Sequence, residues 1–162
     1  MTKTQIKKLI KEEGVIGYGS KRFFQILLRH GKLFLGQVDI RQNRIAMQWK
    51  SRYRPKPKRC FYNSQKFAKE NSLEMGISYW EGVICSTDIL YVHAWNTVGS
   101  DLIDLTLVDD DLVYFGVRID TGFLYDHEAE RWDNPPHPGG PYMPEYFKDN
   151  RYKDYLIPGK NA

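Results

Sequence analysis

Between Ile77 and Ile119 the sequence passes through four strand-like segments, Ile77–Ser86, Ile89–Val98, Asp101–Val108 and Leu112–Ile119. Only Thr87-Asp88, Gly99-Ser100 and Asp109–Asp111 separate them. Connections that short join antiparallel neighbours, because a parallel crossover needs a dozen residues or more. The economical arrangement is a contiguous antiparallel meander. Upstream of it the pattern is mostly helical, so the order of elements predicts an α+β fold.

Thr2–Glu13 places Ile6, Leu9 and Ile10 at helical spacing with lysines between them, and Gly14 is a natural stop. Ser20 fits an N-cap for a second helix over Lys21–His30, with Phe23, Phe24, Leu27 and Leu28 on one face and Gly31 at its end. The two helices are expected to pair over the core, with His30 as a partner for the second helix's C-terminal dipole. Residues 32–49 alternate loosely through Leu33, Leu35, Val38, Ile40, Ile45, Met47 and Trp49. That spacing predicts extended structure with a turn at Gln42-Asn43. Pro55 and Pro57 then bar regular hydrogen-bonded structure, making Lys50–Arg59 a stiff extended approach to Cys60. Cys60–Ser72 contains no Gly or Pro, and Cys60, Ser64, Phe67, Ala68 and Asn71 share a helical face. It is predicted to be a helix starting at or near Cys60. The tail from Asp120 is turn-rich, with an irregular Pro/Gly arm from Asn134 and a helical pattern over Pro144–Leu156.

At 162 residues the chain is expected to form one domain. Within it lie N-terminal helices and an extended segment (1–49), a basic arm (50–59), a core (60–119) and an irregular tail (120–162). Aromatic residues make up 14% of the chain, too many for a disordered one. No apolar run is long enough to span a membrane, and the N-terminus lacks the apolar segment of a signal peptide. A cytoplasmic site of action is the expectation. Two cysteines make no disulfide framework, and Cys85, inside Gly-Val-Ile-Cys-Ser, is expected to be a small buried residue. His127 and His137 have no close His or Cys companions, so neither a zinc site nor another cofactor is expected.

The net charge of +4 is unevenly placed. Of the 24 Lys and Arg, six fall in Lys50–Arg59, which has no acid, leaving 18 against 20 acidic residues elsewhere. The basicity is local, and Trp49 and Tyr53 interleave with it.

The reactive residue types are ordered. Cys60 opens its helix behind Lys58 and Arg59, His93 follows in Val-His-Ala-Trp-Asn, and Asp104 lies in Leu-Ile-Asp-Leu-Thr. A thiol nucleophile needs an electropositive setting and a base within hydrogen-bond reach, and the amides of a helix start also suit a developing oxyanion. A hairpin about Val98-Gly99 would set His93 directly opposite Asp104 and Asn96 opposite Asp101. The carboxylate could then orient the imidazole. Around this triad, Gln48 is a candidate oxyanion donor, and Asn63 and Ser64 lie one turn into the helix. Trp95 suits the core or a cleft wall, while Tyr53 and Arg59 could contact substrate. Glu81, in an otherwise apolar strand, either faces solvent or pairs near the cleft.

Arg-Cys-Phe-Tyr-Asn-Ser at a helix start, then Tyr-Val-His-Ala-Trp-Asn, then Leu-Ile-Asp-Leu-Thr, resembles the transglutaminase-like branch of papain-fold cysteine enzymes. The likeness covers about residues 58–119 and extends to small bacterial and phage proteins, which implies action in a host cytoplasm. Where those enzymes carry a Gly or Trp close to the cysteine, this chain has Phe61 and Tyr62. The resemblance implies a papain-like core with Cys60 as nucleophile, His93 as base and Asp104 as orienter. The implied activity is acyl transfer on an amide or ester, as a peptidase, isopeptidase, amidase or transglutaminase, without a cofactor. Its partner would be a protein or peptide, an acidic one if the basic arm takes part. The alternative is a nucleic-acid- or protein-binding module that uses residues 50–59 on a catalytically inactive core.

Overall fold

The computed structural model describes residues 1–12, 14–17, 19–36, 43–71, 76–86, 89–107 and 111–126, apart from the side chains of Phe123, Tyr125 and Asp126. The Pro/Gly arm, the helix expected over Pro144–Leu156, His127 and His137 lie outside the described residues. In chain order the elements are α1 (Lys3–Glu12), α2 (Lys21–His30), β1 (Lys32–Leu35), α3 (Arg44–Tyr53), α4 (Cys60–Glu70), β2 (Ile77–Ser86), β3 (Ile89–Val98), β4 (Asp101–Ile103), β5 (Val113–Ile119) and α5 (Thr121–Asp126). The architecture is α+β, with one five-stranded sheet ordered β1-β5-β2-β3-β4 and antiparallel throughout.

The meander expected from the short turns does not form, because β5 pairs with β2 (Tyr79↔Ile119 through Cys85↔Val113) and not with β4. Two features force the crossover. Glu81–Cys85 of β2 is buried on both faces of the sheet, so β2 takes a neighbour on each edge. The third strand, expected to reach Val108, stops at Ile103 because Asp104 turns the chain, accepting the amides of Thr106 (2.8 Å) and Leu107 (3.0 Å). β1 then adds to the outer edge of β5.

The extended reading of 32–49 is corrected as well. Among the described residues of this stretch the strand is Lys32–Leu35, and α3 occupies Arg44–Tyr53, which also makes Lys50–Tyr53 of the basic arm helical; Val38, Ile40 and Gln42 lie outside the described residues. Asn43 caps α3 by accepting the Ala46 amide at 3.1 Å. The helix buries Ala46 and Trp49 three residues apart, and Trp49 packs on Phe67 of α4 with ring centroids 5.4 Å apart.

The sheet divides the core in two. On one face Ile6 and Ile10 of α1 and Phe23, Ile26 and Leu27 of α2 pack with Ala68 of α4 against Tyr79, Val83, Cys85, Ala94 and Phe115. Ser20 caps α2 through the Phe23 amide at 3.1 Å. His30 lies in the last turn of α2, where burial first and Arg29 second pull its pKa below the ordinary value. On the other face Trp80, Ile84, Trp95, Leu102, Leu112 and Tyr114 form a second cluster. There Gly82 stands between Gly116 and His93 in one cross-strand row. A Cβ on Gly116 would sit 2.3 Å from the Trp95 ring and 2.7 Å from the Glu81 carbonyl. Gly116→Ala is therefore expected to lower stability by about 1–3 kcal/mol in denaturant unfolding. An unchanged midpoint would show that Trp95 can yield.

Candidate active site

Helix α4 begins where the chain allows it to. Lys58 is left-handed at φ 59°, which excludes it from the helix, and Arg59 as N-cap supplies no side-chain cap. Cys60 is thus the first helical residue, half-buried, at an end whose amides no N-cap side chain covers. The preceding loop is held by Asn63. Its Oδ1 accepts the Lys56 amide (3.0 Å), and its Nδ2 donates to the Lys56 carbonyl (2.8 Å) and to Thr106 Oγ1 (3.1 Å). One buried carboxamide therefore joins the loop before the nucleophile to the turn that carries Asp104.

His93 Nε2 and Asp104 Oδ2 are 2.6 Å apart, with His93 4% and Asp104 2% exposed. Tyr114 donates its hydroxyl to the same carboxylate oxygen at 3.0 Å. The ring's other nitrogen, Nδ1, is not engaged by Asp104, and Cys60 lies close enough to add to the rise in the His93 pKa. Burial by itself pulls the His93 pKa down. The Asp104 charge and hydrogen bond, together with the Cys60 contact, more than reverse this and raise it to about 10. Burial pushes Asp104 up, but His93 and the Leu107 and Thr106 amides outweigh it and hold the carboxyl below its ordinary value.

The contact arises from a register other than the one expected. The turn is Gly99-Ser100, with Gly99 at φ 61° where a type II′ hairpin takes glycine, so Val98 pairs with Asp101 and Asn96 with Ile103. Carried one residue beyond the ladder, Asp104 stands opposite Trp95 and diagonal to His93. A shift of two residues keeps every side chain on its face, so imidazole and carboxylate still meet.

Cys60 reaches His93 because β4 covers only part of the β3 edge. Ile16 takes the Leu90 carbonyl and Val92 amide (2.8 and 2.9 Å), β4 takes Asn96–Val98, and Ser64 Oγ takes the Ala94 carbonyl between them at 3.1 Å. Helix α4 docks into that gap, where Asn96 Nδ2 also donates to the Ser64 carbonyl at 3.0 Å.

A polar chain that the sequence did not suggest lies beneath. Gln65 Nε2 donates to Tyr79 Oη at 3.0 Å, and Tyr79 donates to Glu81 Oε1 at 2.8 Å. Glu81 is wholly buried, which settles its orientation inward. Burial and then Glu81 raise the Tyr79 pKa well above its ordinary value, with Cys60 adding a smaller push. Tyr79 and Glu81 are two apart on a strand and so share a face, a spacing legible in the sequence.

Of the other expected site residues, Arg59 is exposed at the start of α4 and Asn63 holds the loop. Tyr53 packs at 5.4 Å on Trp49. Trp95 is wholly buried against Tyr114, its indole N–H without a partner among the described residues. Gln48 is exposed on α3, and α3 docks on Phe67 and Glu70 toward the far end of α4. The structure brings Cys60, His93 and Asp104 together and leaves Gln48 away from them. Among the described residues no cluster of three or more His, Cys, Asp or Glu could hold a metal ion, and no helix is long and apolar enough to cross a membrane. Compared with known proteins, the chain matches no family model, no curated protein and no solved structure.

Proposed function

We propose that the protein is a cysteine-dependent acyl-transfer enzyme of papain-like, transglutaminase-like arrangement. The observation that carries this reading is the buried His93–Asp104 hydrogen bond, with Cys60, at an uncapped helix start, close enough to raise the His93 pKa. With the His93 pKa near 10, the Cys60 proton already rests on the imidazole at neutral pH while Asp104 holds Nε2–H. The sulfur attacks an amide or ester carbonyl, and the first-turn amides of α4 stabilise the oxyanion. Collapse expels the amine or alcohol, which leaves with the proton from His93. Water or a second amine, deprotonated by His93, then attacks the thioester and releases the thiolate. An imidazole with its pKa near 10 holds its proton at neutral pH until the leaving group needs it.

Iodoacetamide labelling at pH 6 tests the reading, because an ordinary thiol is then under about 1% ionised. Cys60 is expected to react at least tenfold faster than glutathione, and His93→Gln to abolish the excess. Buried Cys85 should remain unlabelled. A Cys60 rate equal to that of glutathione, or unaffected by His93→Gln, removes the basis for catalysis.

A further inference from the structure

The residues before Cys60 form a rim of unneutralised positive charge. Arg52, Arg54, Lys56, Lys58 and Arg59 are all exposed. Among the described residues, none of the five pairs with a carboxylate. The rim is also held in place. Arg54 and Lys58 are left-handed (φ 47° and 59°), and Asn63 grips both backbone groups of Lys56 between them. Five like charges this close repel one another, and holding them in a fixed loop leaves that cost unrelieved until an anion arrives.

Two classes of polyanion would suit such a rim, and the aromatic residues distinguish them. Binding single-stranded nucleic acid needs open ring faces on which bases stack. Here Trp49 is 4% exposed and donates its N–H to Glu70 at 2.6 Å. Tyr53 lies against Trp49, with Lys66 over its ring at 4.7 Å and Arg52 at 5.3 Å. Lys56 covers the Tyr62 ring at 4.9 Å. The rings that interleave with the cations are engaged by the protein itself, so the rim offers charge without a stacking platform. It also abuts a nucleophile whose chemistry requires an acyl carbonyl, which nucleic acid lacks.

We infer that the substrate is an acidic polypeptide, with Lys56, Lys58 and Arg59 receiving carboxylates that flank the carbonyl presented to Cys60. This rests on the acyl-transfer reading for the role of Cys60, whereas the charge preference does not. The rim raises the local concentration of acidic segments and orients them across the start of α4, an effect that added salt screens.

The test uses the Cys60→Ala protein and three fluorescent peptides of equal length, rich in Glu, Gln or Lys, followed by anisotropy. At low salt the Glu-rich peptide should bind roughly tenfold tighter than the Gln-rich one, and the Lys-rich peptide most weakly. The preference should vanish near about 0.5 M NaCl, where screening is short-ranged, and in K56Q/K58Q/R59Q with an unchanged melting temperature. Equal binding of the three peptides, or a preference that survives in the triple variant, overturns the inference. So does tighter binding of a single-stranded oligonucleotide of equal charge. Because this readout needs no thiol chemistry, an acidic preference together with a Cys60 no more reactive than glutathione would discard the enzyme and keep an acidic-peptide-binding rim.

Discussion

Replacing Asp104 with alanine is expected to cost the fold about 3–5 kcal/mol, because it strips the counter-charge from a buried imidazolium. Asp104 makes four contacts: His93 Nε2 at 2.6 Å, the Tyr114 hydroxyl at 3.0 Å, and the amides of Thr106 and Leu107 at 2.8 and 3.0 Å. All four lose their acceptor together. The ring has one escape. Burial alone pulls its pKa down, so in the variant it releases its proton, and the loss at neutral pH falls toward the lower end of the range. Urea unfolding at pH 7 measures the effect. A loss within the usual surface range, under about 0.5 kcal/mol, would mean that the pair is not a buried ion pair.

Asparagine at the same position separates stability from chemistry. The Thr106 and Leu107 amides require an oxygen where Oδ1 sits, so the carboxamide must turn its NH2 toward His93. That donor forces the ring proton onto Nδ1, the nitrogen needed to accept the thiol's proton. Asp104→Asn should therefore keep much of the fold yet slow Cys60 alkylation by roughly 10²- to 10⁴-fold. A fold retained with the wild-type alkylation rate would exclude His93 as the base.

The parts of this site visible in the sequence were those fixed by local rules. Helix α4 follows from an uninterrupted helical face, and the bounds of β2 and β3 follow from their turns. The meeting of His93 and Asp104 survived a mistaken register because strand side chains repeat every two residues. What escaped depended on tertiary context. Ile45, Met47 and Trp49 alternate like a strand, yet Trp49 needs the Phe67 face and the Glu70 carboxylate, which only a helix can deliver while Asn43 caps it. The sheet order turned on the burial of β2 on both faces, which its continuous apolar run, Gly82–Cys85, already indicated. The Asn63 grip joins residues 7 and 43 positions away, and no local pattern announces it.

Stability should also depend on pH in a way that isolates His93. Its ordinary pKa is 6.5 and its folded value about 10, so below pH 6.5 both states carry the proton and the ion pair contributes in full. Between 6.5 and about 10 only the folded state holds it, so stability falls as pH rises, and above 10 the contribution is gone. At about 1.4 kcal/mol for each pH unit, the decline is on the order of 5 kcal/mol. Asp104 works from the other side. Lowered beneath 3.8, it contributes fully above that pH and is lost as pH falls through its folded value. Tyr79, raised above 10.0, adds a further loss only beyond that pH, so it does not overlap the His93 window. Urea midpoints should hence rise toward pH 6.5 as His30, whose folded pKa is lowered, loses its proton, decline from there to 10, and drop again above it. In Asp104→Ala the middle decline should disappear while the Tyr79 loss remains. A wild-type curve that stays flat between pH 6.5 and 10 would show that the imidazole is neutral in the folded protein and that Cys60 and His93 do not rest as an ion pair.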